Sequence, residues 1–285
     1  MNNSELIAML NRDLADEHAA TIRYLVHGWL EGEDTPMGAG LLSRAREEMW
    51  HMHWLGMIIG QLGGEPDFTP AGYPHDPTNR TTIFKSYVAY EKKLIPHYNS
   101  EAAKVDDPHT KRVLLREAWE SAVHAQKFQK LLDKLKPEEA AGTPEREREL
   151  PQDFLQRLQA EVTSKNNEML QHVRHSWVLQ KNGIVAWELM DQAMTKMKQL
   201  AHFAEDIAEN GVPPLFKPGP IDRSADVGQA LKHASEELKT ACERHLVLKE
   251  DGELMKHTGL VINLNLTIQQ EEYQIAELEE MRKKS

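Results

Sequence analysis

Two pairs of a carboxylate and an imidazole at helical spacing are the residues of this chain best suited to chemistry. Glu48 and His51 stand three apart within Ala45-Arg46-Glu47-Glu48-Met49-Trp50-His51-Met52-His53-Trp54-Leu55-Gly56, and Glu120 and His124 stand four apart further on. Either spacing puts both groups on one helix face, a turn from each other. The face of Glu48 and His51 also carries Leu41, Ala45, Met52, Leu55, Ile59 and Leu62, the seam a helix buries in a bundle. A carboxylate and an imidazole on that seam are costly to bury unless something pairs with them. A metal ion would do so, because it binds both groups in their unprotonated forms.

The elements that must position these groups read as helices. Residues 4–31 form a first helix with Ser4 as N-cap, and Leu10, Leu14, Glu17, Thr21, Tyr24 and Gly28 on one stripe. A loop with Gly32, Pro36, Gly38 and Gly40 leads to a second helix, 41–62, stopped by Gly63-Gly64-Glu65-Pro66. The Pro-rich segment 65–80 is the long crossover a bundle needs when its second and third helices run parallel. The third helix, 81–104, buries Phe84, Tyr87, Glu91, Leu94 and Tyr98, and Pro96 is expected to kink or break it. The fourth, 109–135, has Val113, Glu117, Glu120, His124 and Leu131 on one face.

Residues 137–151 read as a linker, and a second helical set follows at 152–181, 185–209, 226–250 and 253–283. It echoes the first. His27-Gly28-Trp29 recurs 148 residues on as His175-Ser176-Trp177, and Gly63-Gly64-Glu65-Pro66 recurs 147 residues on as Asn210-Gly211-Val212-Pro213. An internal duplication explains this. The expected fold is all-α: two tandem four-helix bundles, residues 1–136 and 152–285.

Composition narrows the function. A formal net charge of −11 with no basic stretch argues against a nucleic-acid partner. Cys242 is the only cysteine, so no disulfide forms within the chain and a reducing cytoplasm is the expected location. The start, Met1-Asn2-Asn3-Ser4-Glu5-Leu6, lacks the basic-then-apolar pattern of a signal peptide, and no apolar run approaches a membrane span.

In the first half, Glu17, Glu48 with His51, Glu91, and His124 with Glu120 give every helix a seam carboxylate, and two helices a histidine as well. One such residue has a dull explanation; four helices in a row match a carboxylate-bridged pair of metal ions. The segment Leu10-Asn11-x-x-Leu14-x-x-Glu17-x-x-Ala20-x-x-x-Tyr24-x-x-His27, with Glu48-Met49-x-His51 and Leu62-Gly63-Gly64-Glu65-Pro66, resembles the ferritin-like superfamily, and bacterioferritins in particular. The resemblance covers about residues 1–135. It implies Glu17, Glu48, His51, Glu91 and His124 as ligands of two iron ions, Glu48 and Glu91 as bridges, and Tyr24 as a redox-active catalytic group. It departs at Ser121, where the family carries a Glu three residues before its His. Either Glu120 swings in as a sixth ligand, or five ligands leave an open place, a set that also resembles the dimanganese catalases.

The second half departs further. Lys165 falls opposite Glu17, Thr195 and Lys198 opposite Glu48 and His51, and Glu237 opposite Glu91, while Glu271-Glu272-Tyr273-Gln274 looks like a Glu-x-x-His whose His became Gln. A lysine there supplies its own cation, so this half reads as a lost site with a structural role. The tail from Glu271 to Lys284 is charged like a solvated face. His53, His172 and His175 read as partly buried structural histidines. Met49 falls where bacterioferritins bind haem, but methionine on a helix is more often packing, and haem is not expected. No Cys-x-x-Cys is present for a rubredoxin-like iron centre.

The expected function is oxidation of Fe(II) by O2 or peroxide, as a ferroxidase or peroxidase in iron handling or oxidative-stress defence. A dimanganese peroxide dismutase, an iron storage or carrier protein, and a metal-free helical interaction protein are the alternatives. Assembly of identical chains is left open.

Overall fold

The computed structural model describes residues 1–136, 140 and 148–284. Among them are eight α-helices, one 3-10 turn and no strand: α1 (Asn3–Glu31), α2 (Pro36–Gln61), α3 (Arg80–Ala102), α4 (Pro108–Lys134), α5 (Gln152–Val178), α6 (Gly183–Glu209), α7 (Val227–Lys249) and α8 (Thr258–Lys284). The fold is all-α, and the chain divides into two compact units, one built on α1–α4 and one on α5–α8. Most of the expected linker, 137–139 and 141–147, lies outside the described residues.

Local chemistry sets the helix starts. Asn2, not Ser4, caps α1: its side chain accepts from Glu5 N while the Glu5 carboxylate accepts from Asn2 N, a reciprocal box. α2 begins five residues before the expected 41, because Thr35 caps it and Pro36 takes its first position. Gly38 thereby falls inside the helix. A Cβ there would lie 1.9 Å from Gly32 O, so only glycine lets the α1 and α2 ends approach so closely. Pro96 does not break α3, which runs on to Ala102. Pro96 is exposed, so the carbonyl its ring leaves unbonded faces water.

In the first unit α1 packs along α2 and α3 along α4. The α1–α3 register runs antiparallel: Asp13 meets His97, Glu17 meets Tyr98, Tyr24 meets Glu91 and Glu31 meets Arg80. With α1 and α2 a hairpin, α2 and α3 run parallel, and residues 62–79 cross over between them. The core is apolar at one end, where Tyr24, Phe84, Tyr87 and Phe128 pack at ring separations of 4.9–6.2 Å. Polar groups fill the middle. The second unit repeats the pairing, α5 with α6 and α7 with α8, around Leu189, Leu231, Leu238 and Leu278.

Candidate metal centre

Each helix of the first unit turns at least one seam carboxylate or imidazole inward at the same level. Glu17 (α1), Glu48 and His51 (α2), Glu91 (α3) and His124 (α4) are all at most 2% exposed. They form two groups, Glu17–Glu48–His51 and Glu48–Glu91–His124, in each of which one ligand atom per residue lies within 4.8 Å of the others. Glu48 is common to both. Its Oε2 is 2.8 Å from His51 Nδ1 and its Oε1 is 2.8 Å from His124 Nδ1. His51 Nδ1 is also 3.1 Å from Glu17 Oε2, and His124 Nδ1 is 3.7 Å from Glu91 Oε1. The two imidazoles lie 6.1 Å apart and nearly parallel, 20° between planes.

Several of these atoms converge without bonding. Buried Glu91 Oε2 has no hydrogen-bond partner, and Glu48 Oε1 and His124 Nδ1, though 2.8 Å apart, are not aligned to bond each other. Unpaired buried polar atoms are rare and costly. Five N and O donors aimed inward from four helices fit a pair of divalent transition ions, which would take up those lone pairs.

The outer atoms of the ligand candidates are held by other side chains. His51 Nε2 is bonded to Glu120 Oε2 at 2.6 Å, and His124 Nε2 to Glu47 Oε2 at 2.5 Å. A carboxylate behind an imidazole fixes the ring and its tautomer, leaving Nδ1 free for an ion. Tyr24 donates to Glu91 Oε1 at 2.5 Å and meets the Tyr73 hydroxyl at 2.8 Å; Tyr98 donates to Glu17.

Protons do the neutralising when no cation is bound. Burial pushes Glu17 up to about 8 against the pull of His51. Burial and the neighbouring Glu48 also raise Glu91. Burial opposes the charge on both imidazoles, but Glu17 and Glu120 carry His51 well above its usual range, and Glu48 and Glu47 carry His124 up to about 12. Burial likewise opposes charge on Glu48, but His124 and His51 hold it well below the carboxylate range.

The structure therefore brings together five of the six expected ligands and separates the sixth. Glu120 does not swing in. One residue off the register of the family's Glu, it lies about 100° round the helix from that inward position. There it reaches the back of His51 and pairs with Arg116 at 2.8 Å. Ser121, which takes the inward position, is 2% exposed. Three contributors escape sequence reasoning: Glu47, Tyr73 and Tyr98. Tyr98 is on the right stripe but carries no spacing signal of a polar role. Glu47 and Tyr73 depend on tertiary approach alone.

Residues 7–137 match the family model of the ferritin-like domain, so the first unit is similar to that domain over most of its length. No curated protein matches the chain.

The second unit has no such group among its described residues. Lys165, fully buried at the position of Glu17, pairs with Glu168 Oε2 at 2.8 Å and with Glu271 Oε1. Lys196 Nζ lies 3.6 Å from Glu168 Oε2. His245 joins Glu271 to Glu161, at 2.9 and 3.0 Å. Two expected correspondences need correction. Lys196 and Gln199 are buried where Thr195 and Lys198 were expected, and Lys198 is exposed; of the neighbours Glu237 and Leu238 on α7, it is Leu238 that is buried. Each error is one residue, which turns a side chain about 100° off the seam. Glu271 is wholly buried rather than part of a solvated tail, and His172 and His175 are also fully buried.

Proposed function

We propose that the first unit binds two iron ions, one at Glu17, Glu48 and His51 and one at Glu48, Glu91 and His124, and oxidises Fe(II) with O2 or peroxide. The observation that carries this reading is the sharing of Glu48: its two oxygens each face a different imidazole. Bound there, two ions would each supply one electron to a single oxidant molecule.

The chain's own residues do the rest. His51, His124 and Glu17 give up protons as cations arrive, which keeps the net charge of the buried cluster nearly constant. Glu120 and Glu47 hold the imidazoles by their outer nitrogens, and Tyr98 holds Glu17. Tyr24, which donates to Glu91, is placed to pass a proton to that carboxylate and, with the centre loaded, would supply an electron to the oxidant held there, the catalytic role we assign it. Ser121 leaves the sixth protein-ligand position open for the oxidant. That open place equally supports a dimanganese peroxide dismutase, so metal identity separates the two. The single cysteine and a chain in which no described helix is long and apolar enough to cross a membrane support a cytoplasmic site of action.

The test is metal content of wild type and Glu48→Ala after anaerobic loading with Fe(II) or Mn(II), followed by absorbance on adding O2 or peroxide. Two irons at the centre, lost in the variant and oxidised rapidly, are expected. Two manganese ions with O2 release from peroxide would replace iron oxidation by dismutation. No tight metal at the five residues would overturn both.

A further inference from the structure

A separate set of ligand-type side chains lies one helical turn beyond the dinuclear centre. Asp13 precedes Glu17 by one turn of α1, and His97 and Glu101 lie on α3 to either side of Tyr98, which bonds Glu17. One atom from each of Asp13, His97 and Glu101 falls within 4.8 Å of the others. His97 Nε2 is 2.9 Å from Asp13 Oδ1 and 3.5 Å from Glu101 Oε2. Asp13 is fully buried and Glu101 is 5% exposed, whereas the His97 side chain is 36% exposed, so the group is closed inside and open outside.

Two buried oxygens in this group, Asp13 Oδ2 and Glu101 Oε2, have no hydrogen-bond partner. No Lys or Arg of the described residues forms an ion pair with either carboxylate, in contrast to Glu168 and Glu271, which share Lys165. Burial and the abutting Asp13 push Glu101 up to about 8. Two carboxylates share one imidazole, whose proton the bond to Asp13 holds above the usual range, so one positive charge faces two negative ones. The mixture of one nitrogen and several oxygens suits a first-row transition ion, while Mg2+ and Ca2+ prefer oxygen alone.

We propose that Asp13, His97 and Glu101 form a third divalent-cation site, standing between solvent and the dinuclear centre. Glu117 of α4 connects the two. It is fully buried with both oxygens unbonded, and it lies near enough to feel the charges of Glu17 and of Asp13. An ion held by Asp13, His97 and Glu101 thus has a carboxylate step towards Glu17. The connecting role rests on the dinuclear reading; the site itself does not.

The experiment is anaerobic titration with Co(II) alone, followed by visible absorption and calorimetry, on four proteins: wild type, Glu48→Ala, Glu48→Ala/His97→Gln and His97→Gln. The expected result is one Co(II) per chain retained in Glu48→Ala and weakened about tenfold or more when His97→Gln is added. His97→Gln alone is expected to keep two Co(II) ions at the centre but to fill them more slowly. His97 is partly exposed, so its variant should fold, which circular dichroism checks; Glu101→Gln is the second variant and should give the same loss. Retention of no Co(II) in Glu48→Ala, or of one that neither His97→Gln nor Glu101→Gln weakens, overturns the third site. Failure of the dinuclear reading looks different: wild type and Glu48→Ala would then bind the same single ion.

Discussion

The units built on α1–α4 and α5–α8 meet the same problem, charge on a buried seam, in opposite ways. In the first, Glu17, Glu48 and Glu91 face His51 and His124, and several of their atoms have no bond. In the second, Lys165 and Lys196 occupy the places of Glu17 and Glu48, Leu238 the place of Glu91, and Gln274 that of His124. Its central carboxylates, Glu168 and Glu271, are held by the ammonium of Lys165. Two lysines of the second unit stand where the first unit has carboxylates with which no Lys or Arg of the described residues forms an ion pair. A seam of one helix spacing can therefore host a site or a closed ion-pair network, and the sign of one or two side chains decides which.

The largest expected effect is in the second unit. Lys165→Met should destabilise it by about 3–5 kcal/mol, because Glu271 and Glu168 would lose their buried counter-charge. Denaturant unfolding measures this, and adding Glu271→Leu should recover much of the loss. Recovery would show that pairing, not packing, holds the network. No loss at all would break the comparison.

Next, a divalent ion should stabilise only the first unit. At a hundredfold excess over its dissociation constant the gain is about 2.7 kcal/mol. Hydrogen exchange should slow in α1–α4 and stay unchanged in α5–α8; equal slowing in both would show that the lysines do not replace the ions.

Smaller again is the contribution of the carboxylate behind His51. Glu120→Gln should weaken ion binding by about 10–100-fold while leaving two ions per centre, as expected for an outer partner rather than a ligand. Loss of a whole ion would make Glu120 a ligand after all. Calorimetry distinguishes the two.

The most gradual effect is with pH. In the metal-free protein Glu17 titrates at about 8 and His124 at about 12, so both carry protons at neutral pH and must lose them to bind an ion. Ion affinity should fall as pH falls from 8 to 6, about tenfold per unit for each proton released. In the second unit the pairing of Glu168 with Lys165 should hold through that range, while Lys196, which burial lowers to about 8, loses its charge only towards the upper end. There, although burial opposes it, Lys165 and Lys196 hold Glu168 down at about 2, below the ordinary 4.5. Its stabilising effect is fully present above 4.5 and lost only as pH falls towards 2. Proton release on binding and a pH series of unfolding midpoints check the pair.

Much of the fold and of the first-half centre is legible in the sequence. Periodicity locates eight helices, and seam carboxylates with histidines three and four residues away mark the centre. What fails is rotation by one residue: Glu120 for an inward ligand, Thr195 for Lys196, Lys198 for Gln199 and Glu237 for Leu238. Helix spacing tells which residues share a face, but a one-residue slip in aligning the halves changes that face by about 100°. Glycine and proline signals also mislead locally, since Thr35 and Pro36 start α2 before two glycines that look like loop.

By itself the sequence determined the helical class, the tandem plan and the five inward donors of the first unit, because those follow from local periodicity along single helices. Only the tertiary structure decided that Glu48 faces both imidazoles, that Glu47 and Glu120 stand behind them, and that Asp13 joins His97 and Glu101. Except for the pairs within α2 and within α3, those contacts join residues of different helices, far apart in the chain. Their distances depend on how four helices are set against one another, which no single helix's pattern encodes.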